Sequence, residues 1–266
     1  MIISHKHKFI FLHTPKTAGS SICAFFSQYI GDDDILNGWN HSLRNGIPYN
    51  HKTLSMVNNK FGLKMISAAI NLRKKDKLIF DKPIIEYAFR EILKKKIGTN
   101  SRHATAKHLK NYDKKSWEKY FKFAFVRNPY TQALSAWLFH EKKWSILNDN
   151  MATNQKKITK EKFIKWLKLI KNKKSYYYDK FPASKIYTID DKIAVDYIGK
   201  FENLEKDISN IKKILKLPKE KFKLEHTKKN KSKINIKYYN KESIELVKEI
   251  WKKDFELFNY RFPKNI

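Results

Sequence analysis

The sequence predicts an α/β fold of three layers, a central parallel sheet flanked by helices, and repeated strand-loop-helix stretches carry that prediction. Residues 8–13, KFIFLH, form a short apolar run ended by Pro15. From Gly19 the apolar residues Ile22, Phe25, Phe26, Tyr29 and Ile30 recur at helical spacing and stop at Gly31. The segment YFKFAFVRNPYTQALSAWLFHEKKW repeats this plan, with a strand from Phe121 to Val126, a break at Asn128-Pro129 and a helix through Leu134, Trp137 and Leu138. Further on, KIYTID and VDYIGKFENL read as strands and EKDISNIKKILKL as a helix. Strands that alternate with helices pair in parallel and carry ligand loops beyond their carboxyl ends.

The intervening segments are read in the same way. Residues 32–58 are polar and turn-rich, with NGWNHSLRNGIPYNH as a loop. Residues 60–96 hold two helical patterns parted near Asp81-Lys82-Pro83, and SRHATAKHLKNYDKKSWEKY reads as a loop leading into a short helix. FIKWLKLI is helical, and KESIELVKEIWKKDFELFNYRF reads as one helix with a buried stripe at Ile244, Val247, Trp251, Phe255 and Phe258. There is no internal repeat and no Gly/Ser linker, so residues 1–266 are expected to form a single domain.

A chain of 266 residues buries a core without disulfides or metal, and its lone cysteine, Cys23, points to a reducing compartment. The apolar run near the start is too short for a signal peptide, and no segment reaches the roughly 18 apolar residues of a membrane span. A soluble, cytoplasmic protein is the expectation. The net charge of +31, almost all lysine, attracts nucleic acid, anionic membrane surfaces, phosphorylated or sulfated ligands and acidic glycans. Lysine is abundant everywhere, as in KKNKSKINIK, so the charge reads as coding bias as much as a patch. Scarce arginine and the lack of a basic stripe interleaved with stacking aromatics disfavour nucleic acid.

Two loops carry chemistry. In PKTAGSS, helix-N-terminal amides and the helix dipole suit an anion; Thr17, Ser20 and Ser21 add hydroxyls, Gly19 permits close approach and Lys16 adds a charge. The same residues also read as a proline-initiated turn with hydroxyl capping of the helix. The triphosphate loop G-x-x-x-x-G-K-[ST] is absent, because the lysine precedes the glycine, which argues against a nucleotide-dependent kinase. In the second loop Arg127 can grip a phosphate through its fork. Ser135, eight residues on, shares that anion only if the Asn128-Pro129 bend turns the chain back. A ligand with two separated phosphate-type groups fits both loops.

HTPKTAGSS paired with FAFVRNPYTQALSAW resembles the sulfotransferase family, in particular its carbohydrate O-sulfotransferase branch of heparan 2-O, chondroitin and dermatan enzymes and bacterial relatives. SRHATAKHL is similar to that family's histidine segment, VDYIGKFENLEKDI to its D-x-x-G-R-F-E-N-L segment, and NKSKINIKYYNKESIELVKEIWKKDFELFNYRF to its C-terminal end. The chain departs from the pattern at Gln132, where the family often has a basic residue, and at Lys200, which replaces an arginine. The spacing between His226 and Asn230 is also longer than usual, and residues 32–100 match nothing.

The resemblance implies a P-loop-NTPase-like three-layer fold and the co-substrate 3′-phosphoadenosine 5′-phosphosulfate (PAPS), with no metal. Its phosphosulfate would lie on Lys16, Thr17, Ala18, Gly19, Ser20 and Ser21, and its 3′-phosphate on Arg127 and Ser135, with Lys231 and Ser232 as further partners. Lys16 would also be catalytic, stabilising charge on the bridging oxygen. His103, within RHATA, matches the family's general base, with His108 as the alternative; His13 reads as a packing or loop-fixing residue. Glu202 and Asn203 would fix the loop around the site. Trp137, Trp144, Trp166 and Trp251 read as core residues or as stacking platforms. The expected acceptor is a carbohydrate or glycolipid hydroxyl, recognised by the helical and loop insertion at 32–100 and by residues 144–180, with contact to an anionic membrane surface. The competing functions are a nonenzymatic polyanion or nucleic-acid binder, and a kinase.

Overall fold

The computed structural model describes residues 1–75, 83–147, 159–173, 181–224 and 236–263. The strands are β1 (Ile2–Ser4), β2 (Phe9–Leu12), β3 (Ile35–Leu36), β4 (Phe121–Val126), β5 (Thr188–Ile189), β6 (Lys192–Ile193) and β7 (Tyr197–Lys200). The helices are α1 (Gly19–Phe26), α2 (Trp39–Arg44), α3 (His51–Val57), α4 (Lys60–Lys75), α5 (Ile84–Ile97), α6 (Ala106–Tyr112) and α7 (Lys114–Lys119). They continue as α8 (Pro129–Leu147), α9 (Lys160–Lys171), α10 (Ser184–Tyr187), α11 (Leu204–Ile214), α12 (Lys241–Ile250) and α13 (Lys252–Phe258). Contacts divide the chain into two compact units. The first comprises Met1–Thr14, Ala18–Val126 and Ile186–Lys228, and the second Pro15–Thr17, Arg127–Lys185 and Lys229–Ile266.

The first unit holds a five-stranded sheet in the order β3-β1-β2-β4-β7. β2, β4 and β7 are parallel, as the alternation of strands and helices requires. The expectation of a parallel sheet fails at its other edge, where β1 runs antiparallel to both β2 and β3. A turn of only four residues, His5 to Lys8, joins β1 to β2, and so short a connection permits antiparallel pairing alone. β2 is buried along its whole length, the apolar run expected of a strand covered on both faces. Phe9, Phe11 and Phe123 share one face, where the Phe26 ring of α1 lies 5.5 Å from Phe9 and 5.4 Å from Phe123. Gly199 pairs directly with Phe125, and a Cβ there would stand 2.5 Å from the Phe125 ring, so the glycine makes room for the aromatic.

Asp34, 1% exposed, pins the β1–β2 turn to the segment that follows α1. Its carboxylate accepts from Ser4 Oγ (2.7 Å), His5 N (2.6 Å), Lys6 N (3.1 Å) and Gly31 N (2.9 Å). Nearby, Asn50 caps α3 by accepting from Thr53 N, and its amide donates to the carbonyls of Gly31 and Asp34.

The second unit is helical, built on α8, α9, α12 and α13. Trp137, Trp166 and Trp251 are buried together with Leu134, Phe163 and Val247, so these tryptophans are core rather than stacking surfaces. The single C-terminal helix expected from the apolar spacing is two, divided at Trp251, whose backbone (φ −102°, ψ 21°) leaves helical geometry while its indole is fully buried. KIYTID is likewise not one strand: its first residues belong to α10, and only Thr188 and Ile189 are extended. The expected loop NGWNHSLRNGIPYNH contains α2, and the expected single helix before β4 is the pair α6 and α7. No helix among the described residues is long and apolar enough to cross a membrane.

Replacing Asp34 with alanine strands several amides in a buried turn. Asp34→Ala should lower the unfolding free energy by about 3 kcal/mol, read from urea denaturation; an unchanged midpoint would show that the turn stands without this carboxylate.

Candidate functional site

β2 ends at Leu12 and α1 begins at Gly19, and the connecting loop is the expected PKTAGSS segment. Its backbone is unusual: Lys16 (φ 64°) and Ala18 (φ 61°) both occupy the left-handed region, at a cost of roughly 1–2 kcal/mol each for non-glycine residues. The loop carbonyls are occupied by donors from elsewhere in the chain. His13 O accepts from His103 Nδ1 (2.7 Å), Pro15 O from Gln132 Nε2 (2.7 Å) and Lys16 O from Arg127 Nη1 (3.1 Å). Ala18 O accepts from Ile22 N (3.0 Å), the first turn of α1. A trans peptide directs its N–H opposite to its C=O, so within the second unit the amides of Lys16 and Thr17 point away from Gln132 and Arg127.

Within the first unit His13, Gly19 and His103 come together. His13 is 6% exposed, and its ring meets the edge of the His103 ring at a centroid distance of 4.8 Å. A Cβ on Gly19 would fall on Cδ2 and Nε2 of His13, so only glycine admits the imidazole here. A carbonyl oxygen can only accept, so His103 Nδ1 carries the proton in its bond to His13 O and Nε2 is the basic nitrogen. His108 differs. Its Nδ1 lies 2.7 Å from Thr105 Oγ1 in the N-cap of α6, and burial, then Lys107, lowers its pKa, which keeps it neutral at physiological pH.

Within the second unit Lys16, Arg127 and Gln132 come together. Arg127, at the end of β4 and 8% exposed, is oriented by Nε donation to Thr131 Oγ1 (2.8 Å), and Thr131 in turn donates to Asn128 O (3.0 Å). Gln132 is fully buried; besides bonding Pro15 O it accepts from Trp251 Nε1 through Oε1 (2.9 Å). A lysine or arginine at this position would offer the indole no acceptor, so glutamine alone of these serves both bonds. Lys16 Nζ sits 4.4 Å above the Phe139 ring, and Ser135 is buried on α8.

Of the remaining expected residues, Thr17 and Ser21 are buried and Ser20 is partly exposed at the start of α1. Glu202 and Asn203 are exposed in a 3₁₀ turn between β7 and α11. Lys231 and Ser232 lie outside the described residues. Sequence reasoning missed the bracing by Gln132 and Thr131. The i, i+4 spacing of Arg127 and Thr131 on a helix start was a usable signal, whereas nothing in the sequence links Gln132 to Trp251. Among the described residues no group of three His, Cys, Asp or Glu is placed to hold a metal ion.

The chain is thus an α/β protein in which an arginine side chain is bonded to the Lys16 carbonyl of a strand-loop-helix connection. The chain belongs to the sulfotransferase family, whose sequence model matches residues 1–261, and it is therefore a transferase of that class. A stretch of 109 residues is 29% identical to an uncharacterized protein of Archaeoglobus fulgidus, covering 40% of this chain and 77% of that protein. No solved structure matches.

The packing of His13 on Gly19 is testable by stability alone. Gly19→Ala should cost about 1–3 kcal/mol through overpacking, while Ser20→Ala, one residue on, should change the urea midpoint far less. Equal effects would refute the steric account.

Proposed function

We propose that this sulfotransferase moves the sulfuryl group of PAPS to a hydroxyl of a carbohydrate or glycolipid, on a P-loop-NTPase-like scaffold formed as one domain. The observation that carries this reading is the bond from Arg127 Nη1 to Lys16 O (3.1 Å), which within the second unit joins the two loops expected to hold the donor. Family membership supplies the reaction.

In the proposed step the acceptor oxygen attacks sulfur and the bond from sulfur to the bridging oxygen of the 5′-phosphate breaks. The hydroxyl proton passes to His103 Nε2, and adenosine 3′,5′-bisphosphate leaves. The amides and hydroxyls of Thr17 to Ser21 hold the 5′-phosphate, and Lys16 neutralises charge on the bridging oxygen. Its contact with Phe139 is worth only about 0.5–1 kcal/mol at an exposed ring, little against the attraction of a phosphate. Arg127 and Ser135, with Lys231 and Ser232, hold the 3′-phosphate. Arg127 has five N–H donors, so bracing the loop and gripping a phosphate are compatible. We assign the proton transfer to His103 over His108 because His103 is bonded to the carbonyl of His13 in the loop after β2, whereas His108 is bonded within the cap of α6.

Residues 32–100 and 144–180 are the proposed acceptor-reading segments. A cytoplasmic enzyme touching the inner membrane face fits the charge of +31. That charge also favours a second reading, a nonenzymatic polyanion binder.

Calorimetric titration with adenosine 3′,5′-bisphosphate, ATP and a duplex oligonucleotide separates the readings. Micromolar binding of the bisphosphate alone, lost in Arg127→Ala, is expected; preference for the oligonucleotide supports the second reading and preference for ATP a kinase. His103→Ala should reduce turnover by roughly 10²- to 10⁴-fold, far more than it lowers bisphosphate affinity, because Gln132 and Arg127 still hold the loop carbonyls. Unchanged turnover would sink His103 as the base.

A further inference from the structure

Seven large hydrophobic side chains are exposed among the described residues, and three of them, Leu54, Leu63 and Ile70, belong to the neighbouring helices α3 and α4. They are 43%, 54% and 41% exposed, too much for a settled core. On α4, Leu63, Ile66 and Ile70 recur at i, i+3 and i+7, so they form one stripe along the helix. Leu54 of α3 joins that stripe across an open groove which it lines with Leu63, Ile66 and His51.

On the stripe's own helices, α3 and α4, the charged residues are all basic, and Asp32 and Asp33 lie exposed beside the start of α3. No aspartate or glutamate occurs from Ile35 to Lys75, whereas Lys52, Lys60 and Lys64 lie on α3 and α4. On the adjacent α5, Lys94, Lys95 and Lys96 are exposed, and Lys95 Nζ stands 5.0 Å over the Phe61 ring of α4. The acidic groups of α5 are engaged: Glu86 is buried against Arg102 (3.0 Å), and Glu91 lies 4.0 Å from Lys94.

An apolar stripe edged by lysines is the pattern of a surface that lies in a membrane interface, aliphatic groups in the acyl boundary and ammonium groups among anionic headgroups. A second copy of the chain is a poor occupant, because it would set lysines against lysines with no carboxylate on α3 or α4 to answer them. A soluble polyanion satisfies the lysines and leaves Leu54, Leu63 and Ile70 in water. We propose that the α3–α4 face docks on an anionic lipid bilayer. Its consequence, presentation of a membrane-borne acceptor to the 32–100 segment, rests on the glycolipid reading above; the docking itself does not.

Full-length Ile70→Cys, labelled with an environment-sensitive fluorophore, tests the face directly, since Cys23 is buried and stays unlabelled. Ile214→Cys, on exposed α11, is the control. At physiological salt, vesicles containing phosphatidylglycerol should blue-shift the label at position 70 and leave that at 214 unmoved, while pure phosphatidylcholine vesicles shift neither. The Leu63→Ser, Ile70→Ser pair should weaken partitioning onto anionic vesicles roughly tenfold, with circular dichroism confirming that it folds. Equal shifts at both labels, no shift at either, or undiminished partitioning of the double variant would each overturn the proposal. So would a concentration-dependent dimer in sedimentation that the double variant abolishes. Bisphosphate calorimetry on the same samples reports donor binding separately, so failure of the one reading is distinguishable from failure of the other.

Discussion

The left-handed backbone at Lys16 and Ala18 is the constraint around which the loop after β2 is arranged. Two such residues together cost about 2–4 kcal/mol, and side-chain hydrogen bonds contribute about 0.5–1.5 kcal/mol each, more when the donor is charged. The bonds to His13 O, Pro15 O and Lys16 O are thus of the size needed to hold the turn. Their donors come from three places in the chain: His103 in the turn before α6, Arg127 at the end of β4 and Gln132 in the first turns of α8. The parallel register that sets Leu12 beside Ala124 places Thr14 beyond the paired strands, where its hydroxyl donates to Phe125 O and continues the link between them.

Carbonyls held by side chains of the fold leave the loop less freedom to lose on binding. A loop that closed only around its ligand would lose affinity to the entropy of ordering its residues, roughly 1–2 kcal/mol each for the backbone. Here the amide directions are set by carbonyl partners that are buried in the fold: Gln132 is fully buried and Arg127 nearly so. His103 plays the same part through Nδ1, and in doing so fixes which of its nitrogens is basic. The same hydrogen bond therefore serves both one of the loop carbonyls and the tautomer.

Much of this was legible in the sequence because it is local. The apolar runs of β2 and β4, the helical spacing of α1 and α9, and the loop residues from Lys16 to Ser21 are all contiguous patterns. β1 and β3 were not legible: they are three and two residues long, and they are held by Asp34 at the far side of α1. The break at Trp251 escaped because Val247, Trp251 and Phe255 keep helical spacing straight through it. α10 was missed because Ile186 and Tyr187 are buried apolar residues, and a short apolar run looks alike in a helix and a strand. Within the site, residue types on one segment were readable, whereas the bond between Gln132 and Trp251 joins residues 119 apart and has no periodic signature.

The geometry of Arg127 explains why that position takes arginine rather than lysine. Its Nε is fixed by Thr131, four residues on in the first turn of α8, and its Nη1 reaches the Lys16 carbonyl, so one planar group spans a helix start and a loop turn. An ammonium has its three donors on a single atom and no fixed fork, and it cannot point at two acceptors separated in this way while still presenting charge in a defined plane. Lys200 stands in the opposite situation. Its backbone N–H, not its side chain, makes the bond to Asp207 that ties β7 to α11, and Tyr197 donates to the same carboxylate. A change of cation there leaves this tie intact, whereas the same exchange at Arg127 would take away the fork that joins Thr131 to the Lys16 carbonyl.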